Sequence, residues 1–226
     1  LPLGRYIVKE VSSPQYYSVS DEEVTVYLEH EGQIVQIEFL NESVYTNVSI
    51  GKSGYTEVVP GQEIRYTFKD IGNNSTVPLD SFYWRDTLPT DAVRLDKIIT
   101  GTYSTRLNYK VVFQTNLSNT QRVLADNLNT LQNYILDASP AALGLASNEY
   151  VTQVTFLFGR VPGGFRQVET PYIYCDVLSS LPHEYRFSNK CDVGGMWQNQ
   201  WIQATDRWVT IIYRGGPVPT LPRTGY

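Results

Sequence analysis

Few side chains in this sequence combine the types and spacings that catalysis or metal binding requires. The two histidines, His30 and His183, lack the spacing of metal ligands. The sequence also lacks a Gly-x-Ser-x-Gly elbow, a phosphate-binding loop and a dinucleotide-binding fingerprint. Acid pairs such as Asp91 and Asp96 are typical of turns and strand edges. The sequence therefore predicts a protein that is not an enzyme and that needs no metal or cofactor.

The two cysteines, Cys175 and Cys191, are separated by 15 residues. Both lie in segments typical of strands, and Leu181–Glu184 between them can turn the chain. A cross-strand disulfide is therefore compatible with the sequence, and so are two unpaired thiols. A redox or zinc site is not indicated, because the sequence contains no Cys-x-x-Cys pair.

The C-terminal residues 214–226 form a segment rich in proline and glycine, without hydrophobic periodicity. Such a composition is typical of an extended, disordered tail. The tail carries Leu221-Pro222-Arg223-Thr224-Gly225. Pro222 fixes a bend at little entropic cost, and Gly225 leaves the neighbouring carbonyl of Thr224 uncrowded. These features predict a peptide bond that another enzyme can reach.

The pentapeptide Leu221–Gly225 resembles the Leu-Pro-x-Thr-Gly signal that is read by sortases, the transpeptidases of Gram-positive bacteria. In that family the cysteine of the sortase attacks the Thr–Gly bond, here Thr224–Gly225, and the acyl group passes to an amine on a cell-wall precursor or a pilin. Complete signals continue into a hydrophobic span and a basic tail, whereas only Tyr226 follows here. We therefore expect the chain to be a piece of a longer protein.

The composition of the 226 residues predicts β-structure and excludes two classes of partner. Tyrosine is abundant, with 17 copies, and aromatic and β-branched residues favour strands over helices. The net charge of −5 gives no electrostatic footprint for nucleic acid. No apolar run approaches the roughly 18 residues that span a bilayer, so membrane insertion is not expected.

Short alternating runs, separated by turn residues, predict an all-β sandwich of the immunoglobulin-like or prealbumin-like kind. We expect three regions: a first unit at 1–45, a large β-sandwich unit at 46–213, and the tail at 214–226. The predicted strands are 5–11, 24–28, 33–39, 48–50, 64–68, 81–86, 92–99, 108–114, 150–158, 172–178, 184–189 and 208–213.

One stretch departs from this pattern. Leu124, Leu128, Leu131 and Ile135 recur at the spacing of one face of a helix. Several asparagines between them are poor helix formers. The pattern predicts one short helix near 120–127 and leaves 128–136 undecided.

The first unit resembles the second half of SpaA-like pilin domains, which are the B-type domains of collagen-binding proteins. Such domains read Gly-x-Tyr-x-x-x-Glu, then Ala-Pro-x-Gly-Tyr, and end in a strand that finishes at Asn. The present sequence keeps the glutamate, the proline, the second tyrosine and the asparagine but has Ser13 for Ala and Tyr16 for Gly. The segments that carry the resemblance are Leu3–Glu10, Ser13–Tyr17 and Ile37–Asn41.

The resemblance implies that Glu10 and Asn41 belong to an intramolecular isopeptide triad. In the family a lysine of the first strand attacks the asparagine side-chain amide while the glutamate shuttles protons. Lys9 neighbours Glu10 and faces the other side of its strand. The lysine and the missing partner strands are therefore expected upstream of Leu1, and this chain is not expected to form that bond. The alternative is a solvated Glu10 and a turn residue at Asn41.

The second unit resembles the large β domains that recur in such surface proteins. The resemblance rests on Val59–Phe68, Asp86–Pro89 and Phe158–Phe165. It implies a second candidate isopeptide that links Lys52 to Asn189, with Asp70 or Asp86 assisting.

The sequence as a whole predicts a structural cell-surface protein, a stalk, pilin or adhesin fragment at the Gram-positive cell wall. Its implied partners are sortase and either peptidoglycan or a neighbouring pilin. One alternative is an adhesin module that binds a host matrix protein or a glycan through exposed aromatic residues. Another is a carbohydrate-active enzyme, which needs a cleft that holds two close carboxylates. Trp84, Trp197, Trp201 and Trp208 could line a sugar platform, but core packing is the better explanation for them.

Overall fold

A computed structural model describes residues 1–14 and 16–214 of the chain. These residues form strands, turns and irregular segments, and the described part contains no helix. The chain divides into two compact units, Leu1–Thr46 and a second unit that begins at Asn47. The all-β class expected from the sequence is confirmed. Among the described residues there is accordingly no helix long and apolar enough to cross a membrane.

The first unit is built on one antiparallel pair, β1 (Gly4–Lys9) and β2 (Glu23–Leu28). The strand predicted at 33–39 is wrong, because this segment adopts no strand in the structure. Its alternation is nevertheless real, since Ile37 and Phe39 are half-buried and their neighbours are exposed. Alternation marks a buried face, but a strand also needs a backbone partner, and in the described residues β1 and β2 pair only with each other.

The second unit contains fourteen strands among the described residues. They are β3 (Val48–Ser53), β4 (Glu57–Val58), β5 (Glu63–Asn73), β6 (Leu79–Thr87), β7 (Val93–Ile99), β8 (Thr102–Tyr103), β9 (Asn108–Thr115), β10 (Ser118–Asn129), β11 (Ile135–Asp137), β12 (Val151–Val161), β13 (Gln167–Glu169), β14 (Tyr172–Val177), β15 (Arg186–Trp197) and β16 (Gln200–Ile212).

Two large sheets form the second unit. One has seven strands in the order β10-β9-β12-β6-β15-β16-β4, and the other has five in the order β11-β7-β14-β5-β3. A small pair, β13-β8, completes the unit. All ladders are antiparallel except the short parallel pairing of β16 with β4.

Aromatic side chains from both sheets fill the core between them. Trp84 of β6 stacks on Phe156 of β12 with 3.9 Å between ring centroids, and it packs against Phe68 of β5 at 4.8 Å. The indole Nε1 of Trp84 donates a hydrogen bond of 2.9 Å to the hydroxyl of Tyr103. The core thus satisfies the polar atom of its largest side chain, as burial requires.

The helix predicted near 120–127 is wrong, because this segment belongs to the long strand β10. The ladder between β10 and β9 shifts register three times, between Ser118 and Arg122, between Val123 and Ala125, and between Ala125 and Leu128. Each irregularity breaks the period of two along the strand. The inward leucines therefore fall at helix-like spacings although the backbone is extended. The segment left undecided at 128–136 contains the end of β10, a turn and the start of β11.

Candidate functional site

The inner face of the second unit carries a lysine, an aspartate and an asparagine that lie together between the sheets. Lys52 is on β3 of the five-stranded sheet, whereas Asp86 and Asn189 are on β6 and β15, adjacent strands of the seven-stranded sheet. The register of β6 with β15 places Asp86 opposite Cys191, two residues from Asn189. The three side chains therefore bridge the two layers of the sandwich.

Ordinary strand periodicity carries these polar residues inward. Lys52 follows the buried Val48 and Ile50 at intervals of two residues, and Asn189 lies between the buried Phe187 and Cys191. Asp86 likewise continues the inward series of Phe82 and Trp84. Side chains at alternate positions of a strand share a face, so residues in register with apolar neighbours must enter the core.

Asp86 contacts both other members of the cluster. The amine of Lys52 donates a short hydrogen bond to Asp86 Oδ1, and both side chains are inaccessible to solvent. The amide Nδ2 of Asn189 donates to Asp86 Oδ2 over 3.2 Å. One carboxyl group thus holds an amine and an amide side by side, an arrangement that allows it to move protons between them.

The surroundings of the amine are aromatic. Lys52 Nζ lies 4.1 Å from the ring centroid of Phe68 and 4.8 Å from that of Tyr66, both on β5. The backbone of Lys52 is fixed as well, because its N–H donates to Asp206 Oδ2 over 2.7 Å. The rings keep water away from the amine.

Burial also acts on the carboxyl group. Desolvation raises the pKa of Asp86, while the nearby amine of Lys52 and the hydrogen bond from Asn189 oppose that rise. A buried ion pair loses the hydration that stabilises its charges, whereas a neutral acid–amine pair loses much less. Transfer of one proton from Lys52 to Asp86 would give an uncharged, nucleophilic amine beside a protonated carboxyl.

The structure distinguishes between Asp70 and Asp86, the two carboxylates that the sequence offered as partners of Lys52 and Asn189. Asp70 is exposed, at a left-handed backbone position with φ of 54°, and its backbone carbonyl accepts a hydrogen bond from the Ser49 hydroxyl. Asp86 is the one that contacts Lys52 and Asn189. The site residue that sequence reasoning did not single out is Tyr66, whose hydroxyl is buried among these groups.

In the first unit the structure brings Glu10 and Asn41 together. Asn41 Nδ2 donates to Glu10 Oε1 over 2.9 Å, and the backbone N–H of Ser20 donates to Glu10 Oε2 over 2.7 Å. Asn41 Oδ1 is buried and has no hydrogen-bond partner among the described residues. Lys9, the one lysine in residues 1–46, is exposed. Both carboxylate oxygens of Glu10, a half-buried residue, therefore accept hydrogen bonds within the first unit.

The two cysteines are free, buried thiols. Cys175 is on β14 of the five-stranded sheet and Cys191 on β15 of the seven-stranded sheet, so they do not form the cross-strand pair that the sequence allowed. Their strands follow one another in the chain, but residues 178–185 carry the chain from one sheet to the other instead of forming a hairpin. Burial raises the pKa of both thiols, to about 12 for Cys191, which keeps them protonated and unreactive.

The remaining predicted sites have simple outcomes. Leu221, Pro222, Arg223, Thr224 and Gly225 lie outside the described residues. Within those residues there is no group of three or more side chains that could hold a metal ion. Trp84 is a core residue, whereas Trp201 is 54% exposed and lies 6.2 Å from Tyr83, centroid to centroid.

Comparison with known proteins gives only distant likenesses. No family model and no curated protein matches the chain. Among solved structures, the chain is similar to BcpA, the major pilin subunit of Bacillus cereus, at 14% identity and a TM-score of 0.32, covering 94% of this chain and 55% of that one. It is also similar to a putative membrane anchored protein from Corynebacterium diphtheriae, at 15% identity and a TM-score of 0.35, covering 91% and 42%.

A third similar structure belongs to an enzyme, AvmM, which catalyses macrocyclization in alchivemycin A biosynthesis. Its identity is 10% and its TM-score 0.30, with 78% of this chain and 93% of that one covered. The chain thus spans about half the length of the pilin subunit it matches. Likenesses at these TM-scores carry no argument about function, which must come from the site itself.

Proposed function

We propose that this chain is part of a Gram-positive surface protein, a segment of a stalk, pilin or adhesin, whose second unit is stapled by an isopeptide bond between Lys52 and Asn189. The observation that carries the proposal is the fully buried contact of Asp86 with both the amine and the amide. The tail motif Leu221–Gly225 supports the location, because its resemblance implies sortase as a partner and peptidoglycan or a neighbouring pilin as the acceptor.

All the atoms exchanged in the reaction belong to these three side chains. Starting from the neutral pair, Nζ of Lys52 adds to Cγ of Asn189, so that a new C–N bond forms. Asp86 donates its proton to Nδ2 of Asn189, the Cγ–Nδ2 bond breaks and ammonia leaves. Asp86 takes a proton from Nζ at the same time and ends protonated, as it began. The products are one amide cross-link and one ammonia.

A cross-link at this position suits a protein that bears load. It joins β3 to β15, near opposite ends of the second unit in sequence, and closes a loop of roughly 140 residues. By the argument used for disulfides, a loop of that size restricts the unfolded chain by about 5 kcal/mol. An amide, unlike a disulfide, is not opened by thiols. A force that pulls the two sheets of the unit apart would then be resisted by a covalent bond between them.

Intact mass spectrometry tests the proposal. The chain as isolated should be lighter than its calculated mass by about 17 Da, the mass of one ammonia. Lys52→Ala and Asn189→Ala should each show the full calculated mass. Lys97→Ala removes a half-exposed lysine that contacts Glu63, and it should keep the deficit. A wild-type chain at full mass, from folded protein, would rule out the staple.

The first unit adds a second condition to this test. Lys9 is exposed and does not contact Asn41, so no lysine of residues 1–46 is placed to react there. The deficit should therefore correspond to one ammonia and not to two. A deficit of about 34 Da would show that a second bond forms.

A further inference from the structure

Two buried polar atoms at the stapling site have no hydrogen-bond partner among the described residues. They are Oδ1 of Asn189, the amide oxygen, and the hydroxyl of Tyr66. Tyr66 and Asn189 are both fully buried, so water does not satisfy these atoms. An unpaired polar atom in a core costs free energy, and such atoms are often retained where a reaction uses them.

The two atoms belong to neighbouring side chains. The ring of Tyr66 lies 4.8 Å from Lys52 Nζ, and Lys52 contacts the same carboxyl group that holds Asn189. Burial raises the pKa of Tyr66, and the charge of Asp86 raises it further, while the Asn189 amide lies close enough to lower it. The phenol therefore keeps its hydrogen at any ordinary pH, and that hydrogen can be donated to an acceptor.

The amide oxygen of Asn189 is the atom on which negative charge develops. When Nζ of Lys52 adds to Cγ, the C=O bond becomes a C–O⁻ single bond in the tetrahedral intermediate. Asp86 is already engaged with the two nitrogens, through Oδ1 with Nζ and through Oδ2 with Nδ2. The oxyanion thus needs a different donor, and a preorganised donor in a dry site is the strongest stabilisation available.

We propose that Tyr66 is a catalytic residue of the stapling reaction, whose hydroxyl donates a hydrogen bond to Asn189 Oδ1 and stabilises the oxyanion as Lys52 attacks. This inference rests on the proposed staple and adds one residue to the group that catalyses its formation. Asp86 then moves the protons, Phe68 and the Tyr66 ring exclude water, and the Tyr66 hydroxyl stabilises the charge. After ammonia leaves, the same hydroxyl remains bonded to the carbonyl of the new amide.

Tyr66→Phe tests the assignment, since it removes one oxygen atom and keeps the ring that covers Lys52. The chain is synthesised in a cell-free system, and samples are quenched in acid at intervals. Intact mass spectrometry of these samples follows the loss of ammonia. Removal of a single oxyanion donor slows a reaction by roughly 100-fold or more. Tyr66→Phe should therefore accumulate as folded, unlinked protein that links slowly to the same final mass.

Tyr109→Phe is the matched control. Tyr109 is another buried tyrosine whose hydroxyl has no hydrogen-bond partner within residues 1–14 and 16–214, but its ring packs on Phe158, 5.0 Å away, and on Tyr103. It should link at the wild-type rate. In a Lys52→Ala background, where no reaction occurs, Tyr66→Phe should not lower the melting temperature, because the hydroxyl it removes is unpaired. A purely structural role would lower it.

The outcomes separate the two levels of the proposal. If wild type itself never loses ammonia, the staple is wrong. If wild type links and Tyr66→Phe links within about threefold of its rate, far short of the effect of a lost oxyanion donor, only the role of Tyr66 is overturned. A crystal structure of the linked wild-type chain gives an independent check. The Tyr66 hydroxyl should lie within about 3.2 Å of the new amide oxygen, and a hydroxyl turned away from that oxygen would also contradict the assignment.

Discussion

At the scale of single residues, the decisive feature is the burial of a charged pair that has no solvent to support it. Lys52 and Asp86 are both inaccessible, and a buried ion pair seldom stabilises a fold compared with apolar residues of the same size. Its presence among Phe68, Tyr66 and Trp84 is therefore poorly explained by stability alone. Consumption of the amine in a covalent bond explains it, because the product carries no charge on the lysine.

The titration of Asp86 provides a test in a chain that cannot react. Lys52→Met removes the amine that lowers the pKa of Asp86, so that burial raises this pKa further above its ordinary value of 3.8. A raised folded-state pKa means that the folded chain binds a proton where the unfolded chain does not. Stability should then be greatest at acidic pH and fall as pH rises above about 4.

The measurement is the melting temperature of Lys52→Met between pH 4 and pH 8, compared with Lys52→Met/Asp86→Asn. A tenfold difference in proton affinity corresponds to about 1.4 kcal/mol. The single variant should therefore lose several degrees across this range relative to the double variant. Identical pH profiles for the two variants would show that the pKa of Asp86 is not raised in the folded chain.

At the scale of strands and turns, alternation predicted most of the long strands of the second unit, but not β10, the short strands or the full lengths of β15 and β16. The same rule applies to the three site residues, which a family resemblance had already named as a candidate isopeptide. Lys52, Asp86 and Asn189 each continue an apolar series at intervals of two, and a polar residue in that position is forced into the core. Their meeting across two sheets was not predictable from alternation, since it depends on the strand order, in which β6 and β15 are adjacent although far apart in sequence.

Predictions from hydrophobic periodicity failed where the structure is irregular. The bulges of β10 imposed helix-like spacing on Leu124 and Leu128, which are inward residues of an extended strand. In the first unit the alternation of Ile37 and Phe39 marked a half-buried face but did not secure a strand partner. The role of the Tyr66 hydroxyl was beyond sequence reasoning as well, because it depends on which buried atoms are left unpaired.

Substitution of two glycines tests how closely the connections between strands are packed. Gly101 and Gly144 both have left-handed backbones, with φ of 67° and 62°. A Cβ on Gly101 would lie 2.4 Å from the carbonyl oxygen of Glu169, whereas one on Gly144 would meet no atom within 4 Å. Gly144→Ala should therefore cost only the conformational strain, about 1 kcal/mol.

Gly101→Ala should cost more than about 3 kcal/mol, because backbone atoms must also move. Urea unfolding of the two variants, both in the Lys52→Ala background so that neither contains the cross-link, gives the comparison. Equal losses of unfolding free energy in the two variants would indicate that the backbone of the connection after β7 moves aside without difficulty.

At the scale of the whole molecule, the proposed function requires two covalent events, a staple made within the second unit and an attachment made by another enzyme at the tail. The second event depends on Thr224–Gly225. Incubation with a purified sortase and a triglycine peptide should release Gly225-Tyr226 and add triglycine to Thr224, which intact mass reveals. Thr224→Ala is the control and should remain unchanged. A wild-type chain that sortase leaves intact would remove the argument for attachment at the cell wall.

The staple remains the central claim, and a tryptic digest locates it most directly. Trypsin does not cut after a lysine whose amine is acylated, so a stapled chain should yield Glu10–Arg65 uncut at Lys52 and joined to Phe187–Lys190. Tandem mass spectrometry should place the link between Lys52 and Asn189, with the loss of one ammonia. Recovery instead of separate Glu10–Lys52, Ser53–Arg65 and Phe187–Lys190 peptides at their full masses, from protein that was folded before digestion, would contradict the account.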